Sequence, residues 1–311
     1  MPRLVCPECR MPVGPSTGSG QAASTGSTCS APAQCASCGT TFEQHGHLWR
    51  FLTKGREQSA AAFAAQYRAV RERDGHRSTA VDYYRMLPTV PRDHPQAAEW
   101  RIRRESYASL QEHAIPAIWL GPMRVLELGA GCAWLSYRLA TLGYRVVAVD
   151  RLDDDADGLG ACRHYPIAFA AVQADFDAMP FEPHQFDVVV FSGSLHYSSD
   201  PEGSLREAVR MMSPGGTVAV MDSPVFRKDA DGEAMVADQQ RRFHVDDGLT
   251  APIRAGVGFL TYARMERAFR SLGLRCHFFR SRGPLAWRMR RQVGRWRLGR
   301  QPAAFGVWVA Q

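Results

Sequence analysis

Cys6-Pro7-Glu8-Cys9 and Cys35-Ala36-Ser37-Cys38 are two Cys-x-x-Cys pairs separated by 25 residues. Four soft thiolates carried on two tight turns suit a tetrahedral structural Zn2+, with Cys6, Cys9, Cys35 and Cys38 as ligands. Free thiols or a redox pair are the competing readings. The spacer exceeds the usual ~15–20 residues, and its excess, residues 14–31, is rich in Gly, Ser, Thr and Ala and reads as a solvated tether. Cys29 lies in that tether and competes as a ligand. A second constellation occupies residues 124–150, where an apolar run ends in Glu127-Leu128-Gly129-Ala130-Gly131 and a second run ends in Asp150. Gly129 and Gly131 permit a sharp turn and close approach of backbone to a ligand. Asp150, at the end of the next strand, is placed to accept hydrogen bonds from two ribose hydroxyls. A dinucleotide site calls for a small residue three positions after Gly131, where Trp134 stands, and no Gly-Lys-Ser/Thr follows to cradle phosphates. These residues therefore suit a nucleoside ligand without a pyrophosphate.

In this setting Glu127, Gly129 and Gly131 resemble the acid-x-Gly-x-Gly-x-Gly motif of the class I S-adenosylmethionine-dependent methyltransferases, with Ala133 in place of the third glycine. The resemblance implies S-adenosylmethionine as cofactor, bound by Glu127, Gly129, Ala130, Gly131 and Asp150. It further implies that Asp175 accepts from the adenine amino group, that Phe176 stacks on the ring, and that the loop opening at Ser192 lies beside the methyl-donating sulfur. The turn Pro214-Gly215-Gly216 matches another feature of the family. The first fifty residues, through Gly39, Phe42 and Leu52, are similar to the small Trm112-like zinc-ribbon module, whose members activate methyltransferases or are fused to ribosomal-RNA methyltransferases. A plain structural staple on a module too small to bury a core is the alternative.

Methyl transfer from a sulfonium is an in-line displacement in which positioning does most of the work, worth about 7–11 kcal/mol. A base is needed only when the acceptor must lose a proton. His196 is the first candidate, because an imidazole titrates near neutrality and sits just past a strand end; Tyr197 and Asp222 are the others. The expected acceptor is a small or lipid-like metabolite. An RNA methyltransferase assisted by the ribbon is the alternative, and a non-catalytic adaptor with the same fold is a third reading.

The elements that must position these groups follow from hydrophobic period. Helical spacing at Phe63, Tyr67 and Val70 predicts a helix over 59–73, and a further helix is expected over 97–110. Tyr83, Tyr84 and Arg85 are candidates for the pocket these helices cap. Apolar runs at 124–128, 144–149, 169–175, 186–191, 217–221, 274–279 and 304–310 predict seven strands, the last pair antiparallel. The fold expected is α/β, a seven-stranded Rossmann-like class I methyltransferase sheet with a zinc ribbon at 1–53, a helical cap at 54–122 and the cofactor domain at 123–311. Insertions are expected at 225–258, as a lid over the acceptor, and at 284–301, as a basic amphipathic helix. Asp153, Asp154, Asp155 and Asp157 lack the terminal Glu of a calcium loop and read as a solvated loop.

The chain has 311 residues, of which 45% are hydrophobic, enough for one full α/β domain with appendages. No apolar run approaches the ~18 residues of a membrane span, and the N-terminus lacks a signal-peptide pattern, so a cytoplasmic protein is expected. Lys54 and Lys228 are the only lysines behind a net charge of +7. From Arg275 onward there are nine arginines and no acid, a segment suited to RNA phosphates, an anionic membrane or an anionic small molecule, or to a plain solvated face whose tryptophans pack on the sheet. Oligomeric state is not legible at this level.

Overall fold

The computed structural model describes residues 2–15, 32–73, 78, 80–115, 121–247 and 256–311. Cys29 and most of the tether, residues 16–31, lie outside these. Four short strands open the chain: β1 (Val13–Pro15), β2 (Ala33–Cys35), β3 (Thr41–His45) and β4 (Leu48–Arg50). Gly14 and Pro15, expected in the tether, instead pair with Gln34 and Ala33. Three helices follow, α1 (Lys54–Arg73), α2 (Val81–Met86) and α3 (Ala97–His113).

The main sheet then builds from β5 (Arg124–Leu128), β6 (Arg145–Asp150), β7 (Ala170–Gln173), β8 (Phe186–Ser192) and β9 (Met212–Met221). Crossovers α4 (Trp134–Thr141) and α5 (Pro201–Met211) keep these strands parallel, since a parallel pair needs a long connection. After β10 (Val225–Phe226) come α6 (Asp229–Asp247), β11 (Leu260–Thr261), α7 (Tyr262–Ser271), β12 (Cys276–Ser281), α8 (Leu285–Leu298) and β13 (Phe305–Ala310).

The central order is β7-β6-β5-β8-β9-β13-β12, with β13 antiparallel to both neighbours. This is the Rossmann-like methyltransferase fold that the sequence led us to expect. Val188, Val189, Val190 and Phe191 are buried, as a central parallel strand covered on both faces requires. Two details depart from expectation. β9 begins at Met212, so Ser213-Pro214-Gly215-Gly216 is a bulged lead-in to the strand rather than a free turn. Among the described residues the sheet also extends to eleven strands, because β4 adds parallel to β7 with Leu48 opposite Ala171 and Arg50 opposite Gln173.

Candidate cofactor and acceptor cleft

A cleft of about 290 Å³ opens at the carboxyl edge of β5, β6 and β8. Its floor is the turn after β5. Gly129 lies at φ 71°, and a side chain there would strike Ser194, its Cβ falling 2.1 Å from that of Ser194, so both the conformation and the packing demand glycine. Gly131, at φ 53°, donates its N–H to Asp150 Oδ2 at 2.7 Å. Ala133 holds the left-handed conformation that a third glycine would supply, at φ 56°, so the substitution leaves the backbone path intact. Leu152 N donates to the other Asp150 oxygen at 2.8 Å, which fixes the carboxylate plane. Burial pushes this carboxyl up to about 6, against the pull of those backbone N–H groups.

The structure brings Gly129, Ala130, Gly131, Asp150, Asp175, Phe176, Ser192 and Tyr197 together in the cleft wall. Glu127 stands behind that wall. It is fully buried, its Oε2 accepts from Ser136 N at 2.8 Å and from Ser136 Oγ at 2.5 Å, and burial pushes it up to about 7 despite these bonds. Its Oε1 lacks a partner in hydrogen-bond geometry, with the Ser192 hydroxyl near enough to offset part of the burial. His196 is also behind the wall: its Nδ1 meets Ser223 Oγ at 3.1 Å and its ring lies 4.3 Å from that of Tyr197. Asp222 sits at φ 55°, bonded by Ser106 Oγ at 2.5 Å, and lies behind Gly193, itself a lining residue. Burial raises its carboxyl to about 6.

The cover over the cleft comes from the helices before the sheet. Phe63 and Tyr67 of α1 stack at 5.5 Å and meet Tyr197 edge-on at 5.9 and 6.2 Å. Tyr83 and Tyr84 of α2 and Trp100 and Arg103 of α3 complete it, whereas Arg85 turns away to donate to the His164 carbonyl. None of the described residues of 225–258 lines the cleft, so the expected lid is not supplied by that insertion among them.

Sequence reasoning missed the arginines. Arg56 bridges Asp175 at 3.0 Å and Asp177 at 2.6 Å, Arg151 pairs with Asp175 at 2.7 Å, and Arg71 pairs with Asp157 at 2.9 Å. Asp157 is 5% exposed and lines the cleft, so the acidic run is not a wholly solvated loop; Arg71, one helix away, draws it inward. Only the arginine spacing on one face of α1, Arg56 to Phe63 to Arg71, hinted at this in the sequence.

At the far end of the sheet, the sulfur atoms of Cys6, Cys9, Cys35 and Cys38 all lie within 4.8 Å of one another. Contacts of 3.3 Å between Cys9 and Cys35 and 3.6 Å between Cys6 and Cys38 approach the ~3.8 Å edge of a tetrahedral Zn–S4 site with bonds of ~2.3 Å. Burial pushes Cys6 up to about 12 while the Thr40 hydroxyl holds Cys38 down at about 6. A central dication would make all four thiolates compatible.

Residues 126–220 match the family model described as a methyltransferase domain. An "Uncharacterized methyltransferase" of Mycobacterium tuberculosis is 32% identical over 106 residues, 33% of this chain and 42% of that protein. The malonyl-[acyl-carrier protein] O-methyltransferase of Erwinia pyrifoliae is 32% identical over 127 residues, 41% of this chain and 45% of that protein. The chain thus spans less than half the length of these curated relatives. A solved 1,6-didemethyltoxoflavin-N1-methyltransferase of Burkholderia thailandensis, with bound S-adenosylhomocysteine, aligns over 90% of this chain and 98% of that one at 15% identity and a TM-score of 0.48.

Proposed function

We propose that this chain transfers a methyl group from S-adenosylmethionine to a small or lipid-like acceptor. One observation carries the reading: the glycine turn, Asp150 and Asp175 at two successive strand ends, Phe176 and Ser192 converge on one cleft. Among the described residues Glu127 Oε1 finds no hydrogen-bond partner beside Ser192, which leaves a carboxylate acceptor just behind the cleft wall. The residues present therefore fit this cofactor, which when bound supplies a sulfonium-activated methyl group.

The chain's own part is positional. Asp150, its plane set by Gly131 and Leu152, holds a ribose; Asp175 and Phe176 hold the base; the aromatic wall of Phe63, Tyr67 and Tyr197 excludes water and orients the acceptor. His196 backs Tyr197 and fixes the loop, and Asp222, held by the Ser106 hydroxyl behind Gly193, supports the loop that opens at Ser192. The four N-terminal cysteines hold a structural zinc in a ribbon of Trm112-like kind.

Calorimetry with S-adenosylhomocysteine tests the proposal. Binding by the chain, weakened at least about tenfold by Asp150→Ala through loss of two charge-assisted hydrogen bonds, is the expected result. No heat from the intact chain, in a sample shown to be folded by circular dichroism, sinks it.

A further inference from the structure

We infer that α8 docks the chain onto an anionic lipid surface, on the side of the molecule where the cleft opens. The inference is independent of the cofactor assignment. At about 100° per residue, Leu285, Met289, Val293 and Trp296 fall within about 80° of arc on the helix. These side chains stand in water, at 67%, 62%, 53% and 86% exposure respectively. Arg290 and Arg297 flank the stripe on one side and Arg288 and Arg295 on the other, all exposed. No acidic group lies within salt-bridge distance of these four among the described residues. The opposite face fastens the helix to the body: Arg291 lies 4.0 Å over the Trp287 ring and donates to the Ala303 carbonyl, and Trp287 meets Phe305 at 6.4 Å.

A helix held by one side, with an apolar stripe edged by arginines on the other, has the build of an interfacial anchor. Its apolar residues enter the acyl boundary, its tryptophan sits at headgroup level, and its arginines reach the phosphates. Nucleic acid would use the arginines but would leave Leu285, Met289 and Val293 in water. A second copy of the chain would set like-charged arginine rows against each other across a two-fold axis.

Topology supplies the orientation. β12 ends at Ser281 and β13 begins at Phe305, and these two residues pair. β13 runs antiparallel to β9 with Val307 opposite Met221, and Met221 pairs in turn with Ser192. The loop carrying α8 therefore leaves and returns at the same carboxyl edge that holds Ser192, Gly129 and Asp150. A docked α8 presents that edge to the lipid.

Co-sedimentation of the full chain with vesicles decides the matter. Equimolar phosphatidylglycerol and phosphatidylcholine should retain it, and phosphatidylcholine alone at least about tenfold less. Trp296→Glu with Met289→Glu should cut retention about tenfold, and Arg288→Gln or Arg295→Gln about fivefold each. Unchanged melting temperatures and unchanged S-adenosylhomocysteine binding would show that neither fold nor cleft was touched. Failure to sediment with the anionic vesicles, or retention indifferent to Trp296→Glu, overturns the inference. So does polyuridylate binding tighter than the vesicles and insensitive to Trp296→Glu, or a dimer that Trp296→Glu dissolves.

Discussion

Glu127 is the residue whose interests conflict most openly. It is buried among apolar strands, and its carboxyl stands near 7 instead of the ordinary 4.5 because burial penalises the charge. The sign follows directly: between about pH 4.5 and 7 the folded chain holds a proton the unfolded chain has lost, so stability falls as pH rises through that window. At pH 8 the full penalty, about 3 kcal/mol at 1.36 kcal/mol per unit, is present. Glu127→Gln should therefore stabilise the chain by about 1–3 kcal/mol in urea melts at pH 8 and by nothing below pH 4.5. A stability gain that persists at pH 4 excludes the titration account. Ala133 makes a smaller contrast: it already occupies a left-handed position, so Ala133→Gly should leave the unfolding free energy in urea melts within about 1 kcal/mol, relieved strain offsetting the lost methyl.

At the scale of elements, α1 owes its place to the cleft. It is tied down by Arg56 on Asp175 and Asp177, Ser59 on Arg151, the Phe63–Tyr67–Tyr197 cluster and Arg71 on Asp157. Removing one member of a largely buried ion pair costs about 3–5 kcal/mol, and here the loss falls on docking of one helix. Arg71→Ala should raise hydrogen exchange across the second half of α1 at least tenfold while β5 and β8 stay protected. Equal protection in both would mean that packing alone holds α1. The sequence made the strands legible because buried parallel strands are continuous apolar runs, and it made the glycine floor legible because only glycine tolerates that turn beside Ser194. It could not show the clamp. Arg56 and Arg71 look like any solvated arginine until the fold brings α1 over acids about a hundred residues away, and Arg151 meets Asp175 only when two strand ends are set side by side. His196 was legible as an imidazole near a strand end, but its direction, toward Ser223, depends on a χ angle that spacing does not encode.

For the whole molecule, the question is why a cysteine cluster lies at the far edge of a sheet whose chemistry is at its centre. β4 closes the otherwise open edge of β7, and Phe51 N donates to the Gln173 carbonyl at 2.8 Å, two residues before Asp175. Cys6, Cys35, Phe42 and Phe51 share one apolar core with Val172, Leu126 and Phe191. The chain then enters α1 at Lys54, so the N-terminal strands that carry the cysteines set both the end of β7 and the start of the helix that clamps it. A metal holding the four thiolates would thus steady the Asp175 side of the cleft from a distance, through two rigid elements rather than through any contact with the ligand. Four consequences should appear together. The purified chain carries one zinc by elemental analysis, and Cys38→Ser or a strong chelator removes it. The melting temperature drops by several degrees as the β7 edge opens. S-adenosylhomocysteine binding weakens several-fold while Gly129 and Asp150 are unaltered. Loss of zinc with affinity and melting temperature both unchanged would separate the cysteine cluster from the cleft and reduce it to an appendage on the sheet.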